Sequence, residues 1–138
     1  MELDSEKKSI DDFAEVGNVL FDEGKYNQAI EAWMEGLNSL EEPLNVQAEA
    51  VWFQTSIADA WFVQGEFENA YKFLLDAKSN LSGEGYENPF VMLRLGQCSY
   101  ELGKEDALEY LMRAYMMAGE EIFEGEDRKY YDLIRDLT

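Results

Sequence analysis

Small and large apolar residues recur along this chain in one order. Gly24, Ala29, Trp33 and Gly36 are followed by Gly65, Ala70, Leu74 and Ala77, and then by Gly103, Ala107, Leu111 and Ala114. In each set the last three residues are spaced by four and three, so they share one helix face, with the large side chain between two small ones. Small residues let a second helix approach closely, and the large one fills the groove beside them. The leading glycine suits a tight turn. About two helical turns before it stands a further apolar-small pair: Val16-Gly17, Ile57-Ala58 and Leu95-Gly96. The pattern predicts a helix, a turn and a second helix three times over.

The periodicity places these helices at about 5–23 and 26–40, 44–64 and 67–80, and 89–102 and 105–118. A seventh covers about 128–137. Asn88 and Pro89 form an N-cap and first-turn pair for the fifth helix, and Pro43 opens the connection into the third. Ser82-Gly83-Glu84-Gly85 reads as a loop, with no domain boundary implied. In the last segment Asp127 is a credible N-cap, and Tyr130, Leu133, Ile134 and Leu137 form one apolar stripe. A stack of hairpins leaves one apolar side of its last pair open. The seventh helix is expected to cover that side, the rival reading being an amphipathic segment that binds a partner.

The repeating unit resembles the tetratricopeptide repeat (TPR) from about Ile10 to about Gly119. The first repeat matches at Phe13, Val16, Gly17, Leu20, Gly24, Tyr26, Ala29 and Trp33. The second matches at Ile57, Ala58, Trp61, Gly65, Phe67, Ala70, Leu74 and Ala77, with Gln54 where a large apolar residue is usual. The third keeps Met92, Leu95, Gly96, Gly103, Ala107, Leu111 and Ala114, and lacks one residue after its glycine. The alanines fall 41 and 37 residues apart rather than the usual 34, which puts extra residues near 41–47 and 82–87. The resemblance implies an all-α, right-handed TPR solenoid of three helical hairpins plus a C-terminal capping helix. It is read as a single TPR domain over 1–138, with repeats at about 10–43, 51–84 and 88–119 and the cap at about 127–137.

Composition narrows the functional classes. A hydrophobic content of 46% and an aromatic content of 14% argue against disorder. Thirty acidic residues against eleven basic give a net charge of −19, which repels nucleic acid and anionic lipid and attracts cationic proteins, besides favouring solubility. No apolar run is long enough to span a membrane, and Met1 to Ser5 do not begin a secretory leader. With a single cysteine, Cys98, and therefore no internal disulfide, a cytoplasmic location is expected. The protein is expected to be a monomer.

The chain lacks histidine, which removes the commonest general base and metal ligand. Cys98 follows Leu95-Gly96 within a helix and reads as a buried, inert thiol. Gly83 and Gly85 lack the strand, third glycine and lysine of a phosphate loop. Glu120, Glu121, Glu124, Glu126 and Asp127 lack the alternating ligands and central glycine of a calcium loop and read as a solvated acidic turn. No enzyme, cofactor or metal site is expected.

In the family, the first helix of each hairpin lines a concave face where peptides bind. The resemblance places Asp11, Ala14, Asn18, Phe21 and Asp22 there from the first unit. Trp52, Thr55, Asp59, Phe62 and Val63 come from the second, and Phe90, Leu93, Gln97, Tyr100 and Glu101 from the third. Aromatics beside carboxylates suit a cationic protein partner. Trp52 and Tyr100 are the preferred contacts, whereas Phe21, Phe62 and Leu93 serve equally well as packing between helices. At the positions of the family's carboxylate clamp for acidic chaperone tails stand Ala14, Asn18, Ser56, Phe90 and Arg94. Only two of the five match and no lysine is present, so chaperone docking is not expected. The expected function is a non-enzymatic module binding a basic protein or peptide. Its short acidic repeats also resemble some bacterial immunity proteins, which implies a cationic toxin domain as partner. The alternatives are an assembly scaffold or chaperone-like adaptor for a multi-subunit complex, and a unit that self-associates through 130–137.

Overall fold

The structure, a computed structural model, describes residues 9–40, 48–83 and 88–137. Its helices are α1 (Ile10–Asp22), α2 (Tyr26–Ser39), α3 (Ala48–Val63), α4 (Phe67–Gly83), α5 (Pro89–Glu101), α6 (Ala107–Ala118) and α7 (Arg128–Arg135), with a 3₁₀ turn at Glu120–Phe123. They pack as three hairpins, α1/α2, α3/α4 and α5/α6. Each second helix also packs on the first helix of the next pair. This is the all-α solenoid that the repeats predict. Residues 1–8 and 41–47, including Pro43 and the expected starts of the first and third helices, lie outside the described residues.

The three hairpin turns share one hydrogen-bond pattern. Lys25 donates its amide to the Leu20 carbonyl at 2.8 Å, Glu66 to Trp61 at 2.9 Å and Lys104 to Ser99 at 2.8 Å. Between donor and helix sits a glycine at positive φ (Gly24 79°, Gly65 79°, Gly103 73°), a backbone state that side chains disfavour. The turns thus satisfy the last carbonyls of each first helix and send the chain back along it.

Within each hairpin the small residue on the first helix meets a large one on the second. Trp33 is 2% exposed, lies against Gly17, and donates its indole N–H to the Ala14 carbonyl at 3.3 Å. In the third hairpin Leu111, fully buried, fills the equivalent place beside Gly96. One buried cluster centres on Trp33, Phe53 and Ile57 and a second on Leu74, Leu95 and Leu111, with Trp61 and Phe73 touching both. Ile57 and Leu95 are fully buried, but their counterpart Val16 is 39% exposed, since no described helix packs on that side of α1.

Several boundaries are corrected. Ser9 caps α1 through a reciprocal pair with Asp12, in which each backbone amide donates to the other's side chain at 3.2 Å; the expected start near residue 5 lies outside the described residues. Helix α4 runs through Ser82 and Gly83, where a loop was expected; 84–87 lie outside the described residues. Asn88 does cap α5, accepting from the amides of Phe90 at 2.9 Å and Val91 at 3.2 Å. Asp127 caps α7, and Tyr130 and Ile134 bury against the last hairpin, which supports the covering role. Leu137 leaves the apolar stripe because α7 ends at Arg135, and it is 60% exposed.

The packing at Gly96 is testable. A Cβ there would lie 2.6 Å from Leu111 Cγ and 3.0 Å from its backbone nitrogen, so the α6 backbone itself must yield. Glycine to alanine inside a helix ordinarily gains about 1 kcal/mol. Gly96→Ala is expected instead to destabilise by about 1–3 kcal/mol in urea unfolding. A net gain would show that α5 and α6 are not in this close contact.

Candidate partner-binding groove

The first helices of the second and third hairpins, α3 and α5, touch sparsely along their length. Between them lies a cleft of about 620 Å³, walled by Trp52, Thr55 and Asp59 on one side and Phe90, Leu93 and Arg94 on the other, with Glu126 closing one end. Trp52 is 41% exposed, its ring edge-on to Trp33 at 6.0 Å and to Phe53 at 5.3 Å. It is held by the core yet open to the cleft. Phe90, in the first turn of α5, is 63% exposed.

The closed end is charged. Arg94 donates from Nε to Asp59 at 2.7 Å and from Nη1 to Glu126 at 2.6 Å and to Gln97 at 2.7 Å. Its guanidinium also stacks 4.8 Å from the Phe62 ring. Gln97 in turn donates to Glu126 at 2.9 Å. One guanidinium therefore serves two carboxylates from two different elements. Burial pushes the Asp59 carboxyl above its ordinary value, the Glu126 charge adds to this, and Arg94 beside it does not fully offset them. The Asp59 side chain is still 37% exposed. The pair of carboxylates on one cation leaves a surplus negative charge at the end of an aromatic-walled cleft.

A second charged cluster lies where α7 meets the end of α5. Glu101 accepts from Tyr130 Oη at 2.6 Å and pairs with Lys129 Nζ at 2.7 Å. The Lys129 ammonium lies 5.8 Å from the Tyr100 ring and 5.3 Å from the Tyr130 ring, and those rings meet edge-on at 6.1 Å. Burial alone would raise the Glu101 carboxyl, but the Lys129 and Tyr130 hydrogen bonds and the Lys129 charge outweigh it and hold it below the ordinary range. Burial and the bond to Glu101 push the Tyr130 hydroxyl well above its usual value. Lys129 was not singled out, and Tyr130 only as part of the apolar stripe of the last helix, because nothing in spacing links them to Tyr100 and Glu101.

The predicted site residues fall into four groups. Trp52, Thr55, Asp59 and Phe90 line the cleft, with Leu93; Thr55 bonds back to the Val51 carbonyl at 2.8 Å. Phe62 and Gln97 sit behind it. Phe62 is half-buried against Phe67 and Arg94, and Gln97 is fully enclosed with its amide engaged by Arg94 and Glu126. Tyr100 and Glu101 belong to the second cluster. Asp11, Asn18 and Asp22 are exposed on α1 and do not line the cleft. Phe21 packs at 5.1 Å from Tyr26 and 5.9 Å from Trp33.

Cys98 is fully buried, and burial pushes its thiol up to about 12. Among the described residues no three carboxylate, thiol or imidazole side chains converge to hold a metal ion, and no helix is long and apolar enough to cross a membrane.

The depressed Glu101 carboxyl makes the attachment of α7 pH-dependent. Its stabilisation is present above the ordinary value of 4.5 and is lost as the pH falls through the lower value it has in the fold. The melting temperature of the wild type is expected to exceed that of Glu101→Gln at neutral pH, with the gap closing below pH 4.5. A gap unchanged across that range would show that the Glu101 charge does not hold α7.

The structure is similar to the first TPR domain of Spaghetti (RPAP3), solved bound to the HSP90 peptide SRMEEVD. The TM-score is 0.68, with 22% sequence identity, covering 94% of this chain and 92% of that chain. No protein-family model and no curated protein matches the sequence. At this identity the likeness speaks for the fold, and the chain has the fold of a tetratricopeptide-repeat domain.

Proposed function

We propose that the chain is a non-enzymatic protein-binding module whose cleft between α3 and α5 takes a cationic segment of a protein partner. The observation that carries this reading is the Arg94 guanidinium shared between Asp59 and Glu126 beside the exposed rings of Trp52 and Phe90. A lysine or arginine entering the cleft would relieve the uncompensated carboxylate, and its aliphatic stem would lie on the aromatic walls. The net charge of −19 would steer such a partner in.

The neighbouring TPR domain holds an acidic peptide. The same ligand class is disfavoured here, since Arg94 already carries two carboxylates and Glu126 closes the cleft. A toxin domain that is cationic because it grips phosphate has the required chemistry, and this supports an immunity role within the broader reading.

A pull-down from source-cell lysate with a salt gradient tests it. The expected result is one basic protein, released by salt and lost or at least tenfold depleted with Trp52→Ala or Phe90→Ala; truncating a buried aromatic anchor costs about 2 kcal/mol or more. Several subunits of one complex, retained at high salt and indifferent to both substitutions, would overturn the cationic cleft and favour an assembly scaffold.

A further inference from the structure

We infer that Tyr100, Tyr130 and Glu101 form a second cation subsite, one that the chain fills with its own Lys129 and that accepts a lysine side chain of the partner in exchange. The inference rests on the proposed cationic partner and adds a site that is separate from the cleft.

The geometry is that of a bound ammonium. Lys129 Nζ is 2.7 Å from a Glu101 carboxylate oxygen and lies near two aromatic rings, at 5.8 Å from Tyr100 and 5.3 Å from Tyr130. Those distances are within the range at which a ring quadrupole attracts a cation. The receptor side is fixed. Tyr130 is 4% exposed, its hydroxyl is tied to Glu101 at 2.6 Å, and its ring meets Tyr100 edge-on. The occupant is loose by comparison. Lys129 is in the first turn of α7, and its side chain is 45% exposed.

A rotation of that side chain would open the Tyr100 face, itself 41% exposed, without moving α7, whose Tyr130 and Ile134 remain buried. The freed carboxylate would then lie on one side of an aromatic corner and require a positive charge. An incoming lysine can reproduce every contact that Lys129 makes. Lys129 thus competes with the partner and lowers its apparent affinity.

The test uses the full chain and the peptide acetyl-Gly-Lys-Gly-amide, followed by NMR at the Tyr100 ring and the Trp52 indole, with the Tyr130 ring, the other face of the subsite, as the reporter in variants that lack Tyr100. The norleucine peptide is the uncharged control. Lys129→Ala is expected to bind the lysine peptide roughly threefold or more tightly than the wild type, reported at Tyr100. Adding Tyr100→Leu should abolish the gain, Tyr100→Phe should keep it, and norleucine should not bind. Since Lys129 is exposed, Lys129→Met serves as a second variant that retains the stem's packing, with the same gain expected. Equal affinity of both Lys129 variants and the wild type, or a gain that survives Tyr100→Leu, would overturn the subsite. Binding reported only at Trp52 would overturn it and leave the cleft standing. Binding only at Tyr100 would support the subsite and remove the cleft.

Discussion

How closely the two helices of each hairpin can approach decides the position of everything else in this molecule. A missing side chain at Gly17 or Gly96 lets the facing Trp33 or Leu111 lie directly on the opposing helix. Ala58 and Leu74, both fully buried, hold the same places in the middle hairpin. With second helices tight against first ones, each hairpin is a thick slab. Successive slabs join mainly through the second helix of one and the first of the next. The first helices α3 and α5 are left apart, and the cleft between them follows from that spacing without any residue devoted to opening it.

Charge gives the cleft its character. Arg94, Arg113, Arg128, Lys129 and Arg135 each sit on a carboxylate of this chain, so much of the scarce positive charge is already engaged. Arg94 and Lys129 lie against aromatic rings as well as acids. Arg94 ties α3 and α5 to the turn before α7, and Lys129 ties α7 back to α5. The cap and the groove are thereby joined through internal ion pairs.

The hairpins, their turns and the covering role of the last helix were legible because each rests on local chemistry: a glycine at a left-handed turn, a small residue facing a large one, an aspartate capping a short amphipathic stretch. Helix α4 overran its expected end because Ser82 and Gly83 are weak terminators, and a helix continues where nothing within it forces a stop. Leu137 fell outside its stripe for the reverse reason, the helix ending two residues before it. Trp52, Asp59 and Phe90 were expected on one face from their positions, and they line the cleft between α3 and α5. Gln97 turned inward because Arg94 and Glu126 need its amide, and no spacing in the chain announces a bond across 29 residues. The Glu101, Lys129 and Tyr130 cluster has the same origin: its members meet only after the last hairpin has formed and α7 has folded back over it.

The central claim is that the Trp52 cleft is where positive charge is received, and the three indoles provide a direct readout. A nitrogen-15 spectrum resolves Trp33, Trp52 and Trp61 while a lysine- and arginine-rich peptide is titrated at low salt. The account predicts a saturable shift largest at Trp52, smaller at the core-bound Trp33 six ångströms away and least at Trp61, reversed by added salt. A shift no greater at Trp52 than at Trp61, or one that persists at high salt, would contradict it.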